Sequence, residues 1–440
     1  MTVSEQQLVL DLRDSPDRPA EVLAVNGGVL TRTIEIGGLV IQASIPISDP
    51  GQPDLKGAWW RAYLAGEVAE PVLRANEVLR VADLFCGPGG LALGVRQLCR
   101  EAGLNMVSEF AVDADSEAVA VYSANHKTRL RSTSSVDALL DYRIRGKGDR
   151  ARFSYPPTIV EEAIAEAAQG VDLVLAGPPC QGHSNLNNRS RRDDRRNGLY
   201  LTVPAFAVAT GARMAIIENV PSVVHDHSSV VETARYLFSS NGYEVVEGVL
   251  GADRMGWPQS RRRHFMVARR DRSPLPLAEV EAALADDARS LWWVIGELED
   301  RIGGSDVMEQ VTELSPENQA RVDWLFDNDA YDLDLAERPE SHRNGTTYTS
   351  VYGRLRRDEP APTITTGFMS PGRGRYVHPT RRRVLTPREA ARIQGFPDTY
   401  RFVVDPSAPP TRAKLAKWIG DAVPMPLGYA AALSALGPGL

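Results

Sequence analysis

An apolar run that breaks into a glycine-rich turn and resumes with helical spacing narrows the fold of this chain more than any other stretch. Val78-Leu79-Arg80-Val81-Ala82-Asp83-Leu84-Phe85 reads as a strand, Cys86-Gly87-Pro88-Gly89-Gly90 as the turn, and Leu91, Val95, Leu98 and Cys99 as one face of a helix. Strand, turn and helix in this order make the nucleoside- or phosphate-cradling corner of a doubly wound α/β sheet, because glycines let the backbone approach a ligand closely. Further on, Phe110-Ala111-Val112-Asp113 reads as a second strand ending in an acid. In such sheets that acid takes ribose hydroxyls, so the pair points to an adenosine-containing cofactor.

A second stretch is built to aim a thiol. The apolar run Val171 to Ala176 ends in Gly177-Pro178-Pro179-Cys180-Gln181-Gly182-His183-Ser184, where two prolines fix the backbone ahead of Cys180 and polar residues follow it. Cys180 is a candidate nucleophile, although a lone cysteine often serves as a small buried hydrophobe. Glu161 to Ala168 looks helical. Arg213 to Ile217 is another short buried strand, and it delivers Glu218-Asn219-Val220-Pro221. Ligands of open α/β sheets lie at that carboxyl edge, so Glu218 and Cys180 fall on the same side. Tyr243 to Leu250 and His264 to Ala268 read as two more strands, joined by Met255-Gly256-Trp257-Pro258-Gln259-Ser260-Arg261-Arg262-Arg263.

The 440 residues suffice for two or three domains. Three cysteines, Cys86, Cys99 and Cys180, make no disulfide framework, and no CxxC pair or His/Cys cluster has zinc spacing, so no metal site is expected. Met1 to Gln7 lacks the start of a signal peptide, no run reaches the ~18 apolar residues of a membrane span, and the chain reads as cytoplasmic. A net charge of -7 argues weakly against a nucleic-acid partner, yet arginines crowd 189–196, 261–272 and 373–383, while 281–340 holds 17 acidic and 4 basic residues. If the three clusters converge they form a phosphate-binding face; otherwise each is a solvated loop.

Residues 1–18 read as a polar tail. Val22 to Val25, Val29 to Ile36 and Leu39 to Ile45, separated by Asn26-Gly27-Gly28 and Gly37-Gly38, have the pattern of a small β-meander. A linker over 49–54 and a stretch with Trp59 and Trp60 follow. This module either packs as an appendage or touches DNA or a partner.

Six segments in one order, Asp83 to Gly90, Gly177 to Ser184, Glu218-Asn219-Val220, Gln259 to Arg263, Leu385 to Pro397 and Ile419-Gly420-Asp421-Ala422-Val423-Pro424, resemble the motifs of the DNA cytosine-5 methyltransferases. The resemblance implies a Rossmann-like, S-adenosyl-L-methionine-dependent catalytic domain acting on double-stranded DNA. By it, Cys180 adds to C6 of a flipped-out cytosine, Glu218 holds a proton toward N3, and Arg263 with Arg261 holds the base carbonyl. Asp83, Phe85, Gly87, Gly89, Pro179, Asp421 and Val423 fall to the cofactor pocket, with Asp113 at the ribose. Gln181, Ser184, Arg189, Arg192, Gln259, Arg373 and Arg375 fall to DNA, the loop after Cys180 closing over it.

Three features depart from the family's pattern. Asp421 stands where asparagine is usual, His183 where phenylalanine is commoner, and the adenine-amine contact is not evident among Ser132 to Asp141. Four parts are expected: a β-rich appendage (1–75), the catalytic domain (76–272), a small target-recognition region (273–383), and a C-terminal segment completing the catalytic domain (384–440). The recognition region is acidic before about Glu340, so groove contacts are expected from His342 to Arg357 and Gly367 to Arg383. The family usually acts as a monomer and often serves restriction or defence systems. An RNA-directed enzyme of the same family and a catalytically silent DNA-binding regulator are the alternatives.

Overall fold

The computed structural model describes residues 20–68, 77–179, 195–340 and 351–437. Its centre is a seven-stranded sheet in the order Glu244–Gly251, Arg262–Arg269, Met214–Asn219, Leu173–Ala176, Val78–Leu84, Asn105–Val112 and Leu130–Ser132. Neighbours are parallel except Arg262–Arg269, which runs antiparallel to the strands on both sides. Leu173–Ala176 is buried along its whole length, as a parallel strand covered on both faces must be. Its side chains alternate: Leu173 and Leu175 join one apolar core, Val174 and Ala176 the other.

From Val78–Leu84 the chain winds outward through Asn105–Val112 to Leu130–Ser132, then crosses back to Leu173–Ala176 on the other side of the first strand. This reversal opens a crevice at the carboxyl ends of the strands. The ends are level, with Ala176 paired to Leu84 on one side and to Ile217 on the other. Phe85, Gly177 and Glu218 therefore reach the same edge. The expected strands are present, but Met214–Asn219 runs far enough to carry Glu218 inside the strand rather than after it.

Two helices seal one face by direct backbone packing. A Cβ on Gly94, in the helix Gly90–Glu101, would run into the Tyr429 nitrogen and lie 2.5 Å from the Met425 oxygen, both in the helix Met425–Leu436. A Cβ on Gly428 would meet the Leu91 oxygen at 2.8 Å. Only glycine permits this approach, and it locks the C-terminal helix onto the first helix of the sheet.

The N-terminal meander is present as Ala20–Asn26, Val29–Ile36 and Leu39–Pro46, followed by the helix Leu55–Ala65. Both of its turns place two glycines at positive φ, as tight hairpins require. Its buried Arg32 reaches into the catalytic domain, meeting Glu101 at 2.7 Å and the Tyr429 hydroxyl at 3.1 Å, with Trp60 beneath it at 4.7 Å. The module shares one core with the sheet's helices.

Between Ser273 and Arg383 the chain builds the helix Pro316–Asp327 and a pair of short parallel strands, Gly353–Arg354 and Arg375–Val377. Val322, Leu325, Leu333, Val351, Tyr352 and Val377 give this region a small core of its own.

Candidate active site

The crevice holds a cavity of about 1010 Å³ lined by residues from five of the six motif segments; Leu385 to Pro397 contributes none. Asp83, Phe85 and Gly87 come from the first strand and its turn, Asp113 from the second, Pro179 from the third, Glu218 from the fourth, and Arg261 and Arg263 from the antiparallel strand and its approach. Arg373 comes from the stretch between Ser273 and Arg383, and Asp421 and Val423 from the C-terminal segment. Cys180, Gln181, Ser184, Arg189 and Arg192 lie outside the described residues, but Pro179 is on the wall and Cys180 is the next residue in the chain.

The glycine turn is shaped by its backbone. Phe85 sits at φ 59° and Gly87 at φ 50°. The Gly87 nitrogen donates to Asp113 Oδ2 at 2.9 Å, while the other Asp113 oxygen accepts from the Asp115 nitrogen at 2.9 Å. A Cβ on Gly87 would touch nothing, so this peptide faces open space in the cavity. Asp83 lies just beneath, almost wholly buried, and its Oδ2 has no hydrogen-bond partner. Burial, with Asp113 nearby, pushes its carboxyl up to about 8. The Cys86 thiol, raised by burial and the same acids, is held far from the reactive thiolate form.

On the opposite wall Glu218 is 9% exposed, and its Oε1 receives Arg263 Nε at 2.9 Å. Burial raises the Glu218 carboxyl above the ordinary range, Asp421 adds to the rise, and Arg263 and Arg261 oppose it. A carboxyl in this balance can hold a proton and share it with a bound partner. Its neighbour Asn219 donates to the Pro178 oxygen at 3.1 Å, which fixes the diproline segment to the Glu218 strand.

Several expectations are corrected. Gln259 has no solvent exposure, so it cannot touch DNA. Its amide nitrogen donates to the Ile393 oxygen at 2.9 Å and to Gln394 Oε1 at 3.0 Å, and Gln394 in turn donates to the oxygens of Ile419 and Ala422. This buried amide pair ties the C-terminal segment to the catalytic domain. Arg261 lines the cavity but spends Nη1 on the oxygens of Ile364 and Gly420, joining the stretch between Ser273 and Arg383 to the C-terminal segment. Gly89 points away from the cavity, toward His126 and Tyr400.

The second and third arginine clusters do not make one phosphate face, and the first, at 189–196, is not among the side chains described. In the second, Arg269 is buried against Asp271 and the oxygens of Ala435 and Leu436, Arg270 lies over Tyr243, and Arg272 pairs with Asp271. In the third, Arg375 binds Asp332 and lies off the cavity, Arg381 pairs with Glu299 and Asp300, Arg382 with Asp323 and Asp327, and Arg383 with Glu389. The acidic stretch thus neutralises its own neighbours. Arg373 stands on the cavity wall with no carboxylate partner among the described residues.

Other wall residues carried no strong signal in the sequence. Ser134, Ser135 and Val136 follow the edge strand Leu130–Ser132, and Arg412, Lys417 and Trp418 belong to the helix Arg412–Asp421. Asp115 caps the helix Ser116–His126 and accepts Trp418 Nε1 at 2.8 Å. Lys417 Nζ meets Asp421 Oδ2 at 2.6 Å. The Asp-Ser-Glu capping pattern at Asp115 was readable, whereas its meeting with Trp418 was not.

The family model for C-5 cytosine-specific DNA methylases matches residues 79–435. Type II methyltransferase M1.BsuMI of Bacillus subtilis is 38% identical over 363 residues, 82% of this chain and 81% of that one. Type II methyltransferase M.Eco47II of Escherichia coli is 30% identical over 81% of this chain and 78% of its own length. Among solved structures, the Dnmt2 methyltransferase of S. pombe aligns at a TM-score of 0.50 with 18% identity, covering 82% of this chain and 99% of that one. The Entamoeba histolytica methyltransferase EhMeth aligns at 0.51 with 15% identity, covering 82% and 98%. These two likenesses speak for the fold. With sheet order, crevice and sequence relatives in agreement, the chain belongs to the C-5 cytosine-specific DNA methylases and is a DNA cytosine-5 methyltransferase.

Proposed function

We propose that the enzyme methylates cytosine in double-stranded DNA from S-adenosyl-L-methionine through a covalent Cys180 adduct, as the modification half of a Type II restriction-modification pair. The observation that carries this reading is the shared cavity on which Asp83, Asp113, Pro179, Glu218, Arg263 and Asp421 meet. The wall fits the cofactor. Its glycine turn leaves an open peptide at Gly87, Asp113 stands at that turn, and three aspartates, Asp113, Asp115 and Asp421, suit a cationic ligand. Bound there, S-adenosyl-L-methionine would supply an electrophilic methyl group.

The chain's own residues account for the remaining steps. C5 of cytosine is a poor nucleophile until a thiolate adds at C6, and Cys180 follows directly on the cavity wall at Pro179. As charge develops on the ring, Glu218 gives or shares its proton at N3, which its raised pKa favours. Arg263, held to Glu218, stabilises the base carbonyl. C5 then takes the methyl group, its proton passes to water, N3 returns its proton to Glu218, and the C6–S bond breaks to release the thiolate of Cys180. A base inside a stacked duplex cannot reach such a crevice, so it must be flipped out. The Type II names of the sequence relatives support the genetic setting.

Covalent trapping tests the reading. Duplex DNA carrying 5-fluorocytosine should form an adduct that needs both the cofactor and Cys180, and that Cys180→Ser abolishes. An adduct with RNA alone would move the substrate to RNA. No adduct with either, on DNA of sufficient sequence diversity, would leave a silent DNA-binding protein.

A further inference from the structure

The glycine turn has a rear as well as a front, and the rear is closed by two buried polar side chains from opposite ends of the catalytic domain. His126 ends the helix Ser116–His126, and Tyr400 follows Gly395-Phe396-Pro397 in the C-terminal segment, 274 residues away. Each is 6% exposed. A Cβ on Gly89 would lie 2.6 Å from His126 Nε2 and 2.8 Å from the Tyr400 hydroxyl oxygen, so the turn at φ 99° rests directly on this pair.

The polar chain has a direction. The Tyr400 hydroxyl donates its single proton to the Pro88 oxygen, so the contact of 3.3 Å between Tyr400 Oη and His126 Nε2 requires the proton on Nε2. Burial and nearby Arg96 pull the His126 basicity down to about 3, and the ring stays neutral in that tautomer. Tyr400 is held in register by Asn125, whose side chain accepts from the Arg401 nitrogen at 2.9 Å and donates to the Arg401 oxygen at 3.0 Å. Phe396 and Phe402 pack its ring at 4.8 and 5.3 Å. A hydroxyl placed this firmly on a turn carbonyl fixes a peptide whose other face opens on the cavity.

We infer that Tyr400 and His126 are positioning residues for the cofactor turn: they preform Pro88–Gly89 from behind and make that preformation depend on docking of the C-terminal segment, which also brings Asp421 and Val423 to the wall. The inference rests on the cofactor reading above. It assigns to Tyr400 a role that neither touches substrate nor reacts.

Tyr400→Phe removes the hydroxyl and leaves the ring. Binding of S-adenosyl-L-methionine by the full chain, followed by calorimetry, should weaken about 5- to 10-fold, the scale of one buried hydrogen bond. The KM for the cofactor should rise by the same factor, with kcat and DNA affinity within twofold of wild type. Amide exchange over residues 86–90 of the cofactor-free protein should quicken, a readout that stands even if catalysis is lost. Unchanged cofactor affinity together with unchanged exchange would overturn the proposal, as would equal losses in cofactor and DNA binding with a lowered Tm, which would make Tyr400 a general packing residue. Absence of cofactor binding by the wild type would instead refute the cofactor reading itself.

Discussion

Arg263 Nε sits 2.9 Å from Oε1 of Glu218 on the wall of the crevice, so the acid proposed to hold a proton is also the acid that faces a fixed cation. The two influences oppose each other. Burial raises Glu218 and Arg263 lowers it, and the net result is an acid above the ordinary range. Arg263→Ala removes the lowering influence, so the Glu218 carboxyl should rise further. The limb of the methylation pH profile that reports deprotonation of Glu218 should then move to higher pH. Glu218→Gln should remove that limb and lower turnover by about 10²- to 10⁴-fold, the usual yield of a positioned proton donor. Single-turnover rates across pH for both variants make the check, and a wild-type profile retained in Glu218→Gln would take the proton role away from Glu218.

Asp83 gives a stability prediction of definite sign. Its folded pKa of about 8 lies above the ordinary aspartate value, so between about pH 4 and pH 8 the folded chain holds a proton that the unfolded chain has released. Stability contributed by this group is present at the acid end and is lost as pH rises through 8. Asp83→Asn keeps the shape without the charge, so the cofactor-free variant should gain on wild type steadily from pH 5 to pH 8.5 in urea unfolding. Parallel curves would mean that Asp83 stays ionised in the fold.

The parts of this site legible in the sequence are those carried by short local patterns. The Val78 to Gly90 corner, the diproline before Cys180 and the strand bearing Glu218 each announce themselves within about a dozen residues, because period-2 burial and glycine or proline breaks are local properties. What joins these pieces is not local. Gln259 meets Gln394, and Gly94 meets Gly428, through pairings that no periodicity encodes. The same limit hid the partners of the second and third arginine clusters. A run of like charge shows its sign in the sequence, but not the carboxylates that fold onto it.

Arg32 measures how far the N-terminal meander belongs to the catalytic domain. It is buried between Glu21, Glu101 and Tyr429, 69 residues from one of these partners and 397 from another. Removing one member of a buried charged set strands the others and costs about 3–5 kcal/mol. Arg32→Ala should therefore lower the single unfolding transition of the whole chain. An independent early transition, with the main one unmoved, would make residues 20–65 a separable appendage.

The acidic stretch should restrain non-specific DNA binding. Asp323 and Asp327 occupy Arg382, and Asp332 occupies Arg375. An arginine already paired releases no counterion on meeting a phosphate. With Asp323, Asp327 and Asp332 changed together to Asn, affinity for random-sequence duplex should rise, and the salt slope should steepen by about 0.9 for each further phosphate the freed arginines neutralise. Fluorescence anisotropy over a salt series reads both. An unchanged slope with a lowered Tm would show that these pairs only hold residues 273–383 together.

Asp421 bears on how the proposed cofactor is distinguished from its spent product. It stands on the cavity wall, half exposed, with Lys417 as its partner at 2.6 Å. S-adenosyl-L-methionine carries a sulfonium charge that S-adenosylhomocysteine lacks, so a nearby carboxylate favours the first over the second. Because solvent reaches both Asp421 and Lys417, the effect is screened to the scale of a surface pair, at most about 1 kcal/mol. Asp421→Asn should lower the affinity ratio of cofactor to product by up to about 5-fold, mainly by tighter product binding, because the same change removes repulsion from the amino-acid carboxylate that both ligands share. Competitive binding of the two ligands to wild type and variant measures the ratio directly. An unchanged ratio, with both affinities raised together, would place Asp421 nearer the shared carboxylate than the sulfur, with Lys417, freed from its pair, taking that carboxylate.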